Sequence, residues 1–192
     1  MAIEDRRERE RAVRRRLIMD TARTLAEAEG WDAVTTRRLS TEIEYSQPVL
    51  YKHFTGMEEI AEALAVEGFD ELADVLHTAR VDAEKAERAL TPMAHAYLDF
   101  ARDNPALYDA MFTRATSLRF ATNDTPPPLL RAFTALRDAI AAIAADVDTD
   151  TFTEVFWAAL HGIATLERGQ RLRPGAAAER IKLLADLFLP AP

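Results

Sequence analysis

Cysteine is absent from the 192 residues. That excludes disulfides and thiolate metal sites and accords with a reducing compartment. No run of 18 apolar residues occurs, so nothing in the sequence reads as a transmembrane helix. The N-terminal stretch alternates arginine with acids and lacks the apolar core of a signal peptide, which predicts a cytoplasmic protein. Alternating strand patterns and internal repeats are also missing, and helical periodicity runs throughout. Histidines are few: His53, His77, His95 and His161. None follows a glutamate by three residues, so the paired Glu-x-x-His motifs of a di-iron bundle are absent. His77 follows Asp74 at that spacing, a lone case that reads as a solvated helix pair. No nucleophile elbow, phosphate loop or zinc-protease helix occurs. Neither an enzyme nor a cofactor or metal is expected.

What is present is a series of helical stripes. Residues 57 to about 78 carry Ile60, Leu64, Leu72, Val75 and Leu76, followed by a charged stretch from Arg80 to Arg88. Leu90, Met93, Ala94, Tyr97, Phe100 and Ala101 form the next stripe, which stops before Asn104-Pro105. Pro105 opens a short helix with Leu107, Tyr108, Met111 and Phe112. Asn123-Asp124-Thr125-Pro126-Pro127-Pro128 is a helix break in a loop over residues 118–128. Leu129, Phe133, Leu136, Ile140, Ile143 and Val147 step by three and four. So do Phe152, Val155, Phe156, Ala159, Leu160, Ile163 and Leu166. After Arg173-Pro174-Gly175 a last helix carries Ile181, Leu184, Leu187 and Phe188. The reading is all-α.

Thr35 to Phe54 reads as two short helices joined by a tight turn. Thr35 or Thr36 can N-cap a helix ending near Ile43, with Leu39 and Ile43 facing the core. Glu44, Tyr45 and Ser46 form the break. Ser46 is a second N-cap, and Pro48 sits in the first turn, where its missing N–H costs nothing. Leu50 and Phe54 mark the buried face. Gln47, Val49, Tyr51, Lys52 and His53 are left on the outer or flanking faces. Gln can pair with adenine, and Tyr and Lys can meet phosphates. A helical hairpin that never touches DNA has the same pattern, so a protein–protein adaptor is the alternative function.

Residues 17 to 60 resemble the N-terminal domain of the tetracycline-repressor (TetR) family of bacterial transcriptional regulators. The matching features are Leu17, Ile18, Ala22 and Leu25 ending at Gly30, then Trp31 and Val34-Thr35-Thr36, then Leu39 and Ile43. Tyr45-Ser46, the segment Val49-Leu50-Tyr51-Lys52-His53-Phe54 and the acidic Glu58-Glu59 complete them. The resemblance implies a three-helix helix-turn-helix domain over residues 11–56. A bundle of about six helices over residues 57–192 follows, for ligand binding and dimerisation. It also implies a repressor that binds a palindromic double-stranded DNA operator as a homodimer. By the same resemblance Thr36, Arg37, Tyr51, Lys52 and His53 hold phosphates or bound the groove. Gln47, Pro48 and Val49 approach base edges, and Arg38 and Ser46 complete the DNA-contacting set. Two positions depart from the family pattern. Glu44 stands where the turn usually has glycine, and must avoid a positive φ or accept a cost of about 1 kcal/mol. Met57 stands where a phosphate-binding lysine is usual.

The formal net charge is −8. Residues 1–56 hold 11 Lys+Arg against 10 Asp+Glu, and residues 57–192 hold 13 against 22, so the acidity lies away from the hairpin. Seven arginines fall between Arg6 and Arg16. They read either as a basic arm contacting DNA or as a solvated helix extension with i,i+4 ion pairs.

Regulators of this family usually bind a small-molecule effector in the C-terminal bundle. The candidate lining here is Met93, Tyr97, Met111, Phe112, Phe120, Phe133, Phe156, Trp157 and His161, each with ordinary core packing as the competing account. Trp157 and His161 are i,i+4 neighbours whose polar N–H groups need partners on an otherwise apolar helix. The run W-A-A-L-H-G is similar to the Trp-His-Gly motif of one C-terminal subclass, although here Trp and His are not adjacent. The lining predicts a mostly apolar, neutral effector. The alanine- and leucine-rich faces of residues 150–168 and 176–189 read as internal core or as half of a two-fold dimer interface.

Overall fold

The computed structural model describes residues 2–83, 88–115, 117–120, 122, 124–143 and 148–189. Among them the regular structure is entirely helical. In order the helices are α1 (Ala2–Glu29), α2 (Thr36–Glu42), α3 (Gln47–Leu50), α4 (Met57–Val81) and α5 (Leu90–Asp103), then α6 (Pro105–Asp109), α7 (Pro127–Ala141), α8 (Thr149–Arg168) and α9 (Ala177–Phe188). A short 3₁₀ turn covers Trp31–Ala33, and a π-helical turn covers Ala110–Arg114 directly after α6. Val147, Asn123 and the middle of the charged stretch, residues 84–87, lie outside the described residues.

The chain forms two compact units, residues 1–68 with 104–119 and residues 69–103 with 120–192. The helix α4 contributes its first half to one and its second half to the other.

In the first unit α1 buries Ile18, Met19, Ala22, Leu25 and Ala26, while Leu17 of the expected stripe faces solvent. Gly30 ends α1 at φ +84, a conformation that side chains disfavour. The head of α6 is held from α1. Pro105 has no N–H, so the first free helical donors are the N–H groups of Ala106 and Leu107. Both donate to Glu27, at 3.0 Å to Oε2 and 2.9 Å to Oε1. The Trp31 indole donates to the Ala106 carbonyl at 2.8 Å, and Arg23 donates to the Asn104 side-chain oxygen at 2.9 Å. The π-helical turn closes with Ala115 N–H on the Ala110 carbonyl. The 3.0 Å Arg114–Asp109 ion pair has the same five-residue reach.

In the second unit α5, α7, α8 and α9 pack around Leu90, Met93, Tyr97, Leu136, Ile140, Phe156, Leu160, Ile181 and Phe188. Pro127 and Pro128 occupy the first turn of α7, where no N–H is needed. That helix ends at Ala141, so Ile143 lies past it rather than on the stripe. The stripes on α8 and α9 also split. Phe156, Leu160, Ile181, Leu184 and Phe188 are buried, whereas Val155 is 54%, Leu183 61% and Leu187 69% exposed, with Leu166 also exposed.

Candidate nucleic-acid interface and apolar cavity

The hairpin of the first unit is built from local rules. Thr35 caps α2, its hydroxyl accepting from Arg38 N–H at 3.1 Å. The helix closes with Tyr45 N–H on the Ser40 carbonyl (3.0 Å) and Glu44 N–H on the Thr41 carbonyl (3.3 Å). This is a Schellman closure, which places its C′ residue at positive φ. That residue is Glu44, at φ +55, so the chain accepts the left-handed conformation without a glycine. Ser46 then starts α3 by its backbone alone: its carbonyl accepts from Val49 N–H at 2.9 Å, and its side chain makes no capping bond. Leu39, Ile43, Leu50 and Phe54 are all buried.

On the outer side Ser46, Gln47, Pro48 and Lys52 are exposed, Tyr51 is 51% exposed, and Val49 is half-buried. In α2 Arg37 is exposed and Thr36 half-buried. Two of the expected DNA contacts sit differently. Arg38 is engaged within the protein, donating to Glu42 at 2.7 Å and Glu29 at 3.0 Å, and these partners raise its pKa, the Glu42 hydrogen bond most. His53 is only 9% exposed rather than on an outer face. Burial lowers the His53 pKa, and the neighbouring charges of Arg11, Arg14, Arg15 and Lys52 lower it further.

Arg15, which the sequence did not single out, fastens the end of the hairpin. It donates to the His53 carbonyl at 2.7 Å, pairs with Glu59 at 3.3 Å, and stacks 3.9 Å over the Phe54 ring. Glu59 accepts from Thr55 N–H at 2.7 Å and the Thr55 hydroxyl at 3.0 Å. The backbone hydrogen bond from Thr55, aided by its hydroxyl and by Arg15, holds the Glu59 carboxyl below the usual range. Met57, at the first position of α4, is half-buried.

The second unit holds a small apolar cavity of about 10 Å³, room for about one water molecule, lined by Phe69, Leu72, Leu76, Tyr97, Phe120, Ala132, Phe133, Leu136 and Trp157. Phe120 lies edge-on to Phe69 at 5.5 Å and tilted against Trp157 at 5.0 Å. The Trp157 indole N–H donates to the Tyr97 hydroxyl at 3.1 Å, so its expected partner is found. Tyr97, Phe120, Phe133 and Trp157 of the expected set meet here. The others do not line this space. Met93 is core, and Phe156 packs on Phe188 at 5.0 Å. His161 is half-buried elsewhere on α8, its pKa lowered mainly by burial and further by Arg168. Met111 and Phe112 belong to the first unit, Phe112 against Tyr108 at 4.6 Å. Phe69, Leu72 and Leu76 step by three and four along α4, the helical signal that could have added them to the set.

Comparison with known proteins bears on both units. A family model described as "Bacterial regulatory proteins, tetR family" matches residues 18–64. Another, "Tetracyclin repressor-like, C-terminal domain", matches residues 90–188. The HTH-type transcriptional regulator Rv0681 of Mycobacterium tuberculosis is 30% identical over 161 residues, 80% of this chain and 69% of that protein. The HTH-type transcriptional regulator YobS of Bacillus subtilis is 35% identical over 108 residues, 54% of each chain, so the match spans about half of that relative. A solved structure from Rhodococcus sp. RHA1, of unknown function, superposes with a TM-score of 0.77 at 26% identity, covering 91% of this chain and 92% of that one. The hairpin, the all-helical fold and the two family matches agree: this chain belongs to the TetR family of helix-turn-helix, DNA-binding transcriptional regulators.

Proposed function

We propose that this protein is a homodimeric repressor that reads a palindromic operator and releases it when a small, neutral, mostly apolar effector enters the cavity. Residues 11–56 carry the DNA contacts in this reading, and residues 57–192 carry effector binding and dimerisation. The observation that supports it best is the outer face of α3. It exposes Gln47, Pro48, Tyr51 and Lys52 on a turn that Leu50 and Phe54 anchor. Gln47 suits adenine, and the Tyr51 hydroxyl and Lys52 ammonium suit phosphates. Thr36, Arg37, Ser46 and Val49 border the same contact. Arg38 and His53 act by positioning, since one is ion-paired and the other buried.

One short recognition helix reads few base pairs, so two chains related by a two-fold axis would present two, about 34–36 Å apart. The exposed Val155 and Leu166 of α8 and Leu183 and Leu187 of α9 supply an apolar surface for that pairing. No lining side chain of the cavity is charged at neutral pH, which favours a neutral effector. At about 10 Å³ the cavity is far smaller than ordinary ligand pockets of about 300–1,000 Å³, so an effector must push its walls well apart. The helix α4 gives Phe69, Leu72 and Leu76 to that wall, and its first half belongs to the hairpin unit. Displacing it would change the spacing of the reading helices. The effector shifts DNA binding only by its differential affinity for the two forms, typically about 1–3 kcal/mol.

The test is fluorescence anisotropy with labelled duplexes at two salt concentrations, comparing the wild type with Tyr51→Ala/Lys52→Ala. Weakened binding by the variant is expected. A wild type that binds no duplex at low salt would favour the adaptor instead.

A further inference from the structure

The face of α1 that is buried at Ile18, Ala22 and Leu25 continues toward the N-terminus as Arg14, Arg11 and Arg7. Positions 7, 11, 14, 18, 22 and 25 stay within one helical stripe. Among residues of described burial Ile18 is the first that is buried, so Arg7 projects about 16 Å past it at 1.5 Å per residue. The three arginines are exposed, and none forms an ion pair among the described residues. The neighbouring arginines differ. Arg6 pairs with Glu10 at 3.0 Å, Arg15 with Glu59, and Arg16 with Asp20 and Glu67 at 2.8 and 2.6 Å. Glu4 ends the stripe one turn before Arg7.

The stripe leans toward the hairpin. Arg15, beside Arg14, reaches the His53 carbonyl at the end of α3, and the charges of Arg11 and Arg14 are felt at His53 together with Lys52. Arg11, Arg14 and Arg15 of α1 and the exposed Lys52 just after α3 therefore share the surroundings of His53, and Arg7 continues their stripe one turn further along α1. The matched family region begins at residue 18, so this extension lies outside it.

We propose that Arg7, Arg11 and Arg14 form a rigid basic rail that holds the phosphodiester backbone of duplex DNA flanking the bases read by α3. The inference rests on the DNA-binding reading above. The form of the extension decides the kind of contact. An α-helix with its side chains is about 10–12 Å across and cannot enter a minor groove about 6 Å wide. A helix running on from the core lies along the backbone, and its contacts carry no sequence information. The rail lengthens the footprint, raises affinity and steepens the salt dependence without altering the operator chosen.

The test compares wild type, Arg7→Gln/Arg11→Gln/Arg14→Gln, and the charge-matched single variants Arg11→Gln and Arg9→Gln, with Arg9 on the opposite face of α1. Glutamine matches arginine in helix propensity, and circular dichroism at 222 nm checks that α1 is retained. Binding to duplexes selected from a random pool is measured from 50 to 200 mM salt. Each lost phosphate contact lowers the slope of log K against log salt by about 0.9. Six lost contacts in a dimer would shrink the salt-induced loss of affinity on the order of a thousand-fold over that range. The selected sequence should not change, and Arg9→Gln should keep the wild-type slope. Equal slope changes in Arg9→Gln and Arg11→Gln, an unchanged slope in the triple variant, or an altered selected sequence would overturn the rail while leaving the reading by α3 intact. A wild type that binds no duplex overturns that reading and the rail with it.

Discussion

Glu44 lies where strain and charge in the hairpin can be measured separately. Its φ of +55 is imposed by the closure of α2, in which Tyr45 and Glu44 N–H return to the Ser40 and Thr41 carbonyls. The side chain is exposed and makes no hydrogen bond or ion pair among the described residues. Removing it therefore sacrifices no hydrogen bond or ion pair among the described residues. A non-glycine residue at left-handed φ costs about 1–2 kcal/mol, and glycine's extra freedom in the unfolded chain returns about 0.5–1 kcal/mol of that. Glu44→Gly should stabilise the protein by about 0.5–1 kcal/mol. In a chain of this size that is a rise in Tm of roughly 1–4 °C, or a matching shift of the urea midpoint at constant slope. Glu44→Gln keeps the strained conformation and removes only the charge, so stability should hold. DNA affinity should rise for both variants, because a carboxylate in the turn before α3 repels phosphates, and the gain should fade with added salt. A Glu44→Gly variant no more stable than wild type would refute the strain argument. Glu44→Gln with wild-type DNA affinity at low salt would refute the electrostatic one.

Three further outcomes follow from the geometry. Glu27→Ala strands the Ala106 and Leu107 N–H groups at the head of α6 and should cost about 1.5–3 kcal/mol, with Glu27→Gln costing less because one acceptor survives; equal urea midpoints for all three proteins would contradict this. His53 and His161 both have folded pKa values below the ordinary value of about 6.5, so the unfolded chain binds more protons as pH falls below that value. Their contribution is fully present above about pH 6.5 and is lost as pH falls through the folded values; chemical denaturation at stepped pH should show stability dropping below pH 6.5, less steeply in His53→Gln/His161→Gln. Leu183→Glu/Leu187→Glu puts charge on the exposed face of α9 and should convert a dimer to a monomer in sedimentation velocity with little change in helix content; an unaltered dimer would place the interface elsewhere.

Sequence periodicity found what is decided locally. The Thr35 cap, Pro48 in the first turn of α3, the buried pairs Leu39/Ile43 and Leu50/Phe54, and the stop before Asn104-Pro105 all depend on residues within one helical turn. What it missed depends on partners far along the chain. His53 reads as an outer or flanking residue because Leu50 and Phe54 take the buried face, and only packing of the first unit buries it. The clasp of Glu27 on α6 spans 79 and 80 residues, and no spacing rule reports it. The cavity was half legible for a related reason. A helical stripe says which side chains turn inward but not which inward face meets empty space. Tyr97 and Phe156 look alike in sequence, yet Tyr97 borders the cavity and Phe156 is packed against Phe188. The π-helical turn at Ala110–Arg114 left no sequence signal. It extends the same stripe that α6 begins, and the shift shows in the five-residue reach of the Ala115-to-Ala110 hydrogen bond.

The measurement that tests the central claim most directly is selection of bound duplexes from a random DNA pool by the full-length protein at low salt. The account predicts one enriched palindrome whose half-sites lie about one helical turn apart, as two copies of α3 require. Enrichment of no sequence would contradict it and leave the hairpin as a structural element alone.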